Sequence, residues 1–176
     1  MAEQGNIIKR AFSKFVAGLN SIGGFLIFAM IVMINLDVFS RFLFNAPIDG
    51  VTELVELSIV AIVFLQLSDA VRSGRLTRSE GLFSMIQEKS PRVGHIMSIV
   101  FDLAGALFFV TIIAGSIPRF FEAWKRGYFS GNKGIFVVPV WPVRLVIVVG
   151  AITVVFVFLG LVLQHVRALS DNGDEQ

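Results

Sequence analysis

Arg41-Phe-Leu-Phe-Asn-Ala-Pro-Ile-Asp-Gly-Val-Thr-Glu-Leu-Val-Glu56 joins two long apolar segments and gathers Arg41, Asp49, Glu53 and Glu56 at one membrane boundary. The apolar residues before Arg41 and after Glu56 are numerous enough to be membrane spans, so this stretch reads as a tight turn between them. Pro47 disfavours helix at Ala46, and Gly50 tolerates unusual backbone angles, so together they supply the break. Thr52, Glu53 and Glu56 then fall in the first turns of the next helix, where its dipole favours negative charge. A short hairpin of this kind is expected to bring Arg41 near Glu53. The plainest reading of such a pair is a structural ion pair pinning two helix ends together.

Composition supports spans on both sides of the turn. Of 176 residues, 55% are hydrophobic and 18 are Phe, and the mean hydropathy is +0.79. Soluble domains run at about 45–50% apolar, and here the excess is gathered into runs, so lipid is the solvent for most of the chain. The formal charge is only +2. The pI of 9.3 points to Lys and Arg facing headgroups rather than to nucleic acid. The chain has no cysteine, which excludes disulfides, iron–sulfur clusters and thiolate metal sites. His95 and His165 lie near segment ends and read as ordinary interfacial residues.

Four spans are expected, at about 19–38, 51–70, 93–117 and 143–163, each near the 20 helical residues that cross a hydrocarbon core of about 30 Å. Before them, residues 1–18 place Ile7, Ile8, Ala11, Phe12, Phe15 and Val16 at helical spacing among Lys9, Arg10 and Lys14. That pattern predicts a short helix on a leaflet surface. A second interfacial helix is expected after the polar connection 72–80, with Thr77 and Glu80 at capping-box spacing and Ser90-Pro91 closing it. Asp37, at the far end of the first span, reads as a solvated or paired acid. Pro118 is expected to stop the third span, leaving 118–140 as a loop of aromatic and basic residues. Residues 169–176 read as a disordered acidic tail. The fold class is therefore all-α, an integral membrane four-helix domain over 19–168 with short amphipathic interfacial helices.

Asp102 is the acid set deepest in a span, sharing a face with Ser98 and Gly105. An intramembrane carboxylate is by default a functional candidate. Without a second acid at ligand spacing, it reads more simply as a helix-packing contact. No metal-ligand cluster, nucleophile–base pair or phosphate-binding loop is present in the sequence, so neither an enzyme nor a cofactor is expected, and ATP is not handled here. Span centres are nearly uninterrupted, which argues against a lone carrier with broken helices. A scaffold, a partner-binding subunit or a small channel remains.

Four spans place both termini on one side. The first two loops carry one basic residue (Arg41) against five (Arg72, Arg75, Arg78, Lys89, Arg92), which predicts cytoplasmic termini; the basic 118–140 loop dissents.

Arg41, Asn45, Pro47 and Glu53, then Ala70-Val-Arg-Ser-Gly74, then Pro139-Val-Trp141-Pro142 occur in an order that resembles the small membrane subunit of tripartite ATP-independent periplasmic (TRAP) transporters, the DctQ type. Gly50 stands where that family often has Trp, Thr52 replaces its first Glu, and Arg75-Leu76-Thr77 stands where many members have His-Ile. The resemblance implies a non-catalytic subunit of a sodium-coupled organic-acid importer in a bacterial inner membrane. Its implied partners are a large multi-span permease subunit, a periplasmic substrate-binding protein and membrane lipids, with no nucleic acid. Structural or subunit-contact roles fall to Arg41, Asn45, Pro47, Asp49, Glu53, Glu56, Asp102, Trp141 and Pro142. The alternative is a self-associating four-helix channel or scaffold.

Overall fold

The computed structural model describes residues 2–73, 91–132 and 136–171. It contains four long helices, α1 (Ala2–Phe44), α2 (Val51–Arg72), α3 (Pro91–Arg126) and α4 (Trp141–Asp171). In the chain, a hairpin of β1 (Phe129–Asn132) and β2 (Phe136–Pro139) separates α3 from α4. Lipid offers no hydrogen bonds to a backbone, so a segment crossing it must satisfy its own amides, and helices do so. Each helix holds a segment long and apolar enough to cross a bilayer: Arg10–Phe44, Val51–Arg72, Val93–Arg126 and Trp141–Leu169. The all-α membrane class expected from the apolar runs is what the structure has.

Several boundaries differ from the sequence expectation. Residues 2–44 form one unbroken helix, so the amphipathic N-terminal segment is the beginning of α1 rather than a separate interfacial helix. The helix expected between residues 77 and 89 lies outside the described residues. Pro118 does not stop α3, which continues eight residues further to Arg126. Proline removes one intrahelical bond, but neighbouring helices can satisfy the groups it frees in a membrane protein. Beyond Arg126 the expected loop is partly ordered as the antiparallel hairpin, with Phe129 opposite Pro139 and Asn132 opposite Phe136. α4 extends to Asp171, and 172–176 lie outside the described residues.

Local chemistry sets these ends. Asn45 has φ 51°, and its amide donates to the Arg41 carbonyl at 3.1 Å, the single-bond left-handed cap that Asn tolerates better than other side chains. At the end of α3, Gly127 has φ 61° and the Tyr128 amide reaches back to the Ala123 carbonyl at 3.2 Å. That is a Schellman cap with glycine in the position that most needs it. Pro142 falls in the first turn of α4, where an amide N–H has no intrahelical acceptor to lose.

The helices bury narrow lines of side chains. In α1 the enclosed positions are Phe12, Val16, Leu19, Gly23, Leu26, Met30, Met33, Asp37 and Ser40, flanked mostly by exposed residues. Their alternating spacing of three and four is the 3.5-residue repeat of a single packing seam. The seam covers only one side of α1. In α3 the buried line Gly94, Ser98, Asp102, Ala106 advances by four residues and consists of small or polar side chains, the kind that let helices approach closely in lipid. α4 is the most enclosed of the four helices and α1 the least.

The chain divides into two compact units. One comprises Met1–Leu67 with Gly115–Gly150, the other Ser68–Ala114 with Ala151–Gln176. Within the first, α1 meets α2 where Gly23 sits against the Gln66 side chain, and α2 meets α4 where Gly150 faces the Phe64 backbone. Within the second, Gly105 of α3 receives the Phe158 ring of α4, which also stacks on Phe109 at 6.2 Å between centroids.

A methyl at Gly150 would lie 2.5 Å from the Phe64 carbonyl oxygen and 2.9 Å from its Cβ, whereas one at Gly160 on the same helix meets nothing within 4 Å. Gly150→Ala should therefore push α2 from α4 and cost about 1–3 kcal/mol. Gly160→Ala should stay within about 0.5 kcal/mol. Thermal unfolding of the two variants in detergent checks the contrast.

Candidate functional site

The turn after α1 is built around Asp37. Its Oδ2 accepts from Arg41 Nε at 2.9 Å and lies 2.8 Å from Arg41 Nη2, while its Oδ1 accepts the Ile48 amide at 2.8 Å. Ser40 adds a second strut, its hydroxyl donating to the Ala46 carbonyl at 2.7 Å. Asp37 and Arg41 sit one helical turn apart, so their pairing follows from helix geometry alone. The carboxylate is nearly enclosed, its side chain 9% exposed against 56% for Arg41.

The two Asp37 contacts differ in value. An ion pair with a half-exposed arginine contributes about 0–1 kcal/mol. A charge-assisted bond to a backbone amide is worth more, because the amide is already held in place by the chain. The Ile48 bond is thus the larger, and it ties the turn back to the body of α1.

Arg41 therefore pairs with Asp37 and not, as the turn suggested, with Glu53. Glu53 is half-buried in the first turn of α2, while Asn45, Pro47, Asp49 and Glu56 are exposed. The sequence reading placed Asp37 among solvated or paired acids and missed its role. The signal was its i, i+4 spacing to Arg41, which competed with the more conspicuous acids after the turn.

The hairpin closes on the same turn. Gly50 has φ 84° and lies against the Phe136 ring at the start of β2, so a side chain there would overlap it. A polar network surrounds the other end of the hairpin. Arg144, in the first turn of α4, donates to the Arg119 carbonyl, and its guanidinium lies 5.8 Å from the Tyr128 ring centroid. The Tyr128 hydroxyl donates to Glu122 at 3.2 Å, and Glu122 also meets Arg126 at 3.5 Å. Trp141 packs edge-on against Trp124, with centroids 4.6 Å apart. The sequence reading singled out Trp141 and Pro142 but not Arg144 or Tyr128.

The second unit holds its own polar pair. Asp102 is fully buried, and its Oδ2 lies 3.0 Å from His165 Nδ1. The His95 ring is 6.1 Å from that of His165. His165, read from sequence as an ordinary interfacial residue, is thus the partner of the deepest acid, linking α3 to α4 across 63 positions of sequence. Nearby, Ser98 turns its hydroxyl to the Gly94 carbonyl at 3.0 Å.

A family model described as "Tripartite ATP-independent periplasmic transporters, DctQ component" matches residues 30–168. No curated protein and no solved structure matches the chain.

Asp37→Ala should lower the melting temperature, since it removes the acceptor of the Ile48 amide and the partner of Arg41. Asp37→Asn keeps an acceptor for that amide and should lower the melting temperature less than Asp37→Ala. Glu53→Ala should leave stability within about 0.5 kcal/mol. Melting curves of the three purified variants give the order, and a Glu53 effect as large as that of Asp37 would contradict the assignment. For the second pair, a double-mutant cycle of Asp102→Ala and His165→Ala should return a coupling of about 0.5–3 kcal/mol, whereas additive losses would mean the two do not interact.

Proposed function

The chain belongs to the DctQ family, the small membrane component of tripartite ATP-independent periplasmic transporters, and from that footing we propose that it braces a large permease subunit and presents a docking surface to a periplasmic substrate-binding protein. The assembly imports an organic acid with sodium. This chain contributes no substrate, sodium or ATP site of its own and catalyses no reaction. It sits in a bacterial inner membrane with both termini cytoplasmic, so that the 45–50 turn and the hairpin face the periplasm.

The observation that carries the reading is the family match over residues 30–168, well over half of the chain. Two structural features support the division of labour. The α1 seam leaves most of its circumference exposed, with Phe25, Phe28 and Phe42 at 69%, 64% and 83%. That surface is available to lipid or to another membrane subunit. The turn held by Asp37 and the hairpin resting on Gly50 form an ordered end beyond the apolar helices, with exposed Arg41 and Asp49 open to a soluble partner. The 5:1 excess of basic residues in the second loop over the first supports the orientation.

Because the chain has no cysteine, single cysteines can be introduced cleanly. Asn132→Cys should label with an impermeant thiol reagent from the periplasm and Ser79→Cys should not; the reverse pattern would invert the topology. Phe28→Cys should cross-link to the large permease subunit in membranes. If it cross-links only to a second copy of this chain, the self-associating scaffold replaces the bracing role.

A further inference from the structure

An open cavity of about 410 Å³ lies where α3 ends, the hairpin begins and α4 starts, lined by Trp124, Gly127, Phe129, Val137, Pro139 and Trp141. Its walls are apolar and accessible, with Trp124 57%, Phe129 42% and Val137 49% exposed. An apolar track leads away from it along α3. Ile117, Phe121 and Trp124 share one face at i, i+4 and i+7, exposed by 39%, 53% and 57%, and run into the part of the helix suited to cross a bilayer.

The segment that supplies the groove is rich in basic residues. Between residues 118 and 144 the sequence has Arg119, Lys125, Arg126, Lys133 and Arg144 against the single acid Glu122. That acid is engaged by Arg126 and Tyr128, and Arg144 is held by the Arg119 carbonyl. The Arg119 and Lys125 side chains are exposed, and among the described residues neither is paired with a carboxylate. Lys125 adjoins Trp124 in the last turn of α3.

We propose that this groove seats an acyl chain of an acidic phospholipid whose phosphate is held by Lys125, with Arg119 strengthening the local positive potential. Hydrocarbon can enter along the exposed track without leaving the bilayer, and an anionic headgroup supplies the charge that the chain itself lacks. The proposal needs only that α3 crosses the membrane. It does not depend on the docking role.

Trp124 and Trp141 are the only two tryptophans, so intrinsic fluorescence reports on this groove alone. The protein is placed in phosphatidylcholine nanodiscs doped with brominated phosphatidylglycerol or, in parallel, brominated phosphatidylcholine. The acidic lipid should quench at about a fivefold lower mole fraction, as expected for one cation at a membrane surface. Lys125→Gln, which removes no ion pair or hydrogen bond among the described residues, should bring the two curves together. Coincident curves in the unaltered protein, or a preference that survives Lys125→Gln with Arg119→Gln, would overturn the proposal. Repeating the titration with a tryptophan-free variant of the large permease subunit bound should give the same preference; lost quenching would mean that protein covers the groove, and the lipid assignment fails.

Discussion

Asp37 accepts hydrogen bonds from two places that are otherwise unconnected, the Arg41 guanidinium one turn later in α1 and the Ile48 amide beyond the turn. Without that side-chain acceptor, the Ile48 N–H would lose the bond that ties the turn to α1. The path of residues 45–50 follows from that requirement. Asn45 stops α1 in a left-handed cap, Pro47 prevents its resumption, and the Asp37 bond draws the chain back so that Gly50 can open α2. Gly50 then lies where Phe136 covers it, so the hairpin rests on a turn that one carboxylate has fixed. Arg41 is the lesser partner, orienting the carboxylate while remaining half exposed.

Exposed apolar surface means something different in such a chain than it does in a soluble protein. Lipid tails are as apolar as Leu or Phe, so burying the outer face of α1 against another helix gains little from the hydrophobic effect. Packing and polar contacts must choose the neighbours. This agrees with where specific chemistry is found among the described residues. Small residues form the buried line of α3, glycines set the closest approaches at Gly23, Gly105 and Gly150, and charged pairs gather toward helix ends.

The sequence made the spans legible because bilayer thickness imposes a length that composition reveals directly. The 45–50 turn was legible because Asn, Pro and Gly have backbone preferences that do not depend on tertiary context. The partner of Arg41 was not. Asp37 and Glu53 both lie within reach of a turn this tight, and the choice was settled by an amide, Ile48, whose need for an acceptor appears only once the turn is built. Pro118 misled for a related reason. Its helix-breaking cost of about 3 kcal/mol holds for helices in water, whereas within a helical membrane protein the alternative to helix is more expensive still. The hairpin escaped notice because its strands are four residues each, too short for alternation to stand out among aromatic and basic neighbours. The link between Asp102 and His165 escaped because helix phase alone cannot align two residues on different helices.

That last pair bears on how the helices of the second unit find one another. Replacing a buried polar pair with well-packed apolar groups is often neutral or stabilising, so its presence is weak support for a stabilising role. What apolar seams lack in lipid is a penalty for sliding. A displacement of α3 along α4 by one turn, about 5.4 Å, would keep Leu, Val and Phe in contact with similar groups at little cost. The same displacement would separate Asp102 from His165, a polar contact that the apolar neighbours cannot replace. It would also carry the Phe158 ring away from Gly105, the residue whose missing side chain admits it. The pair and the glycine therefore penalise the wrong registers more than they stabilise the right one, and a helix pair built largely of interchangeable apolar side chains acquires a single alignment.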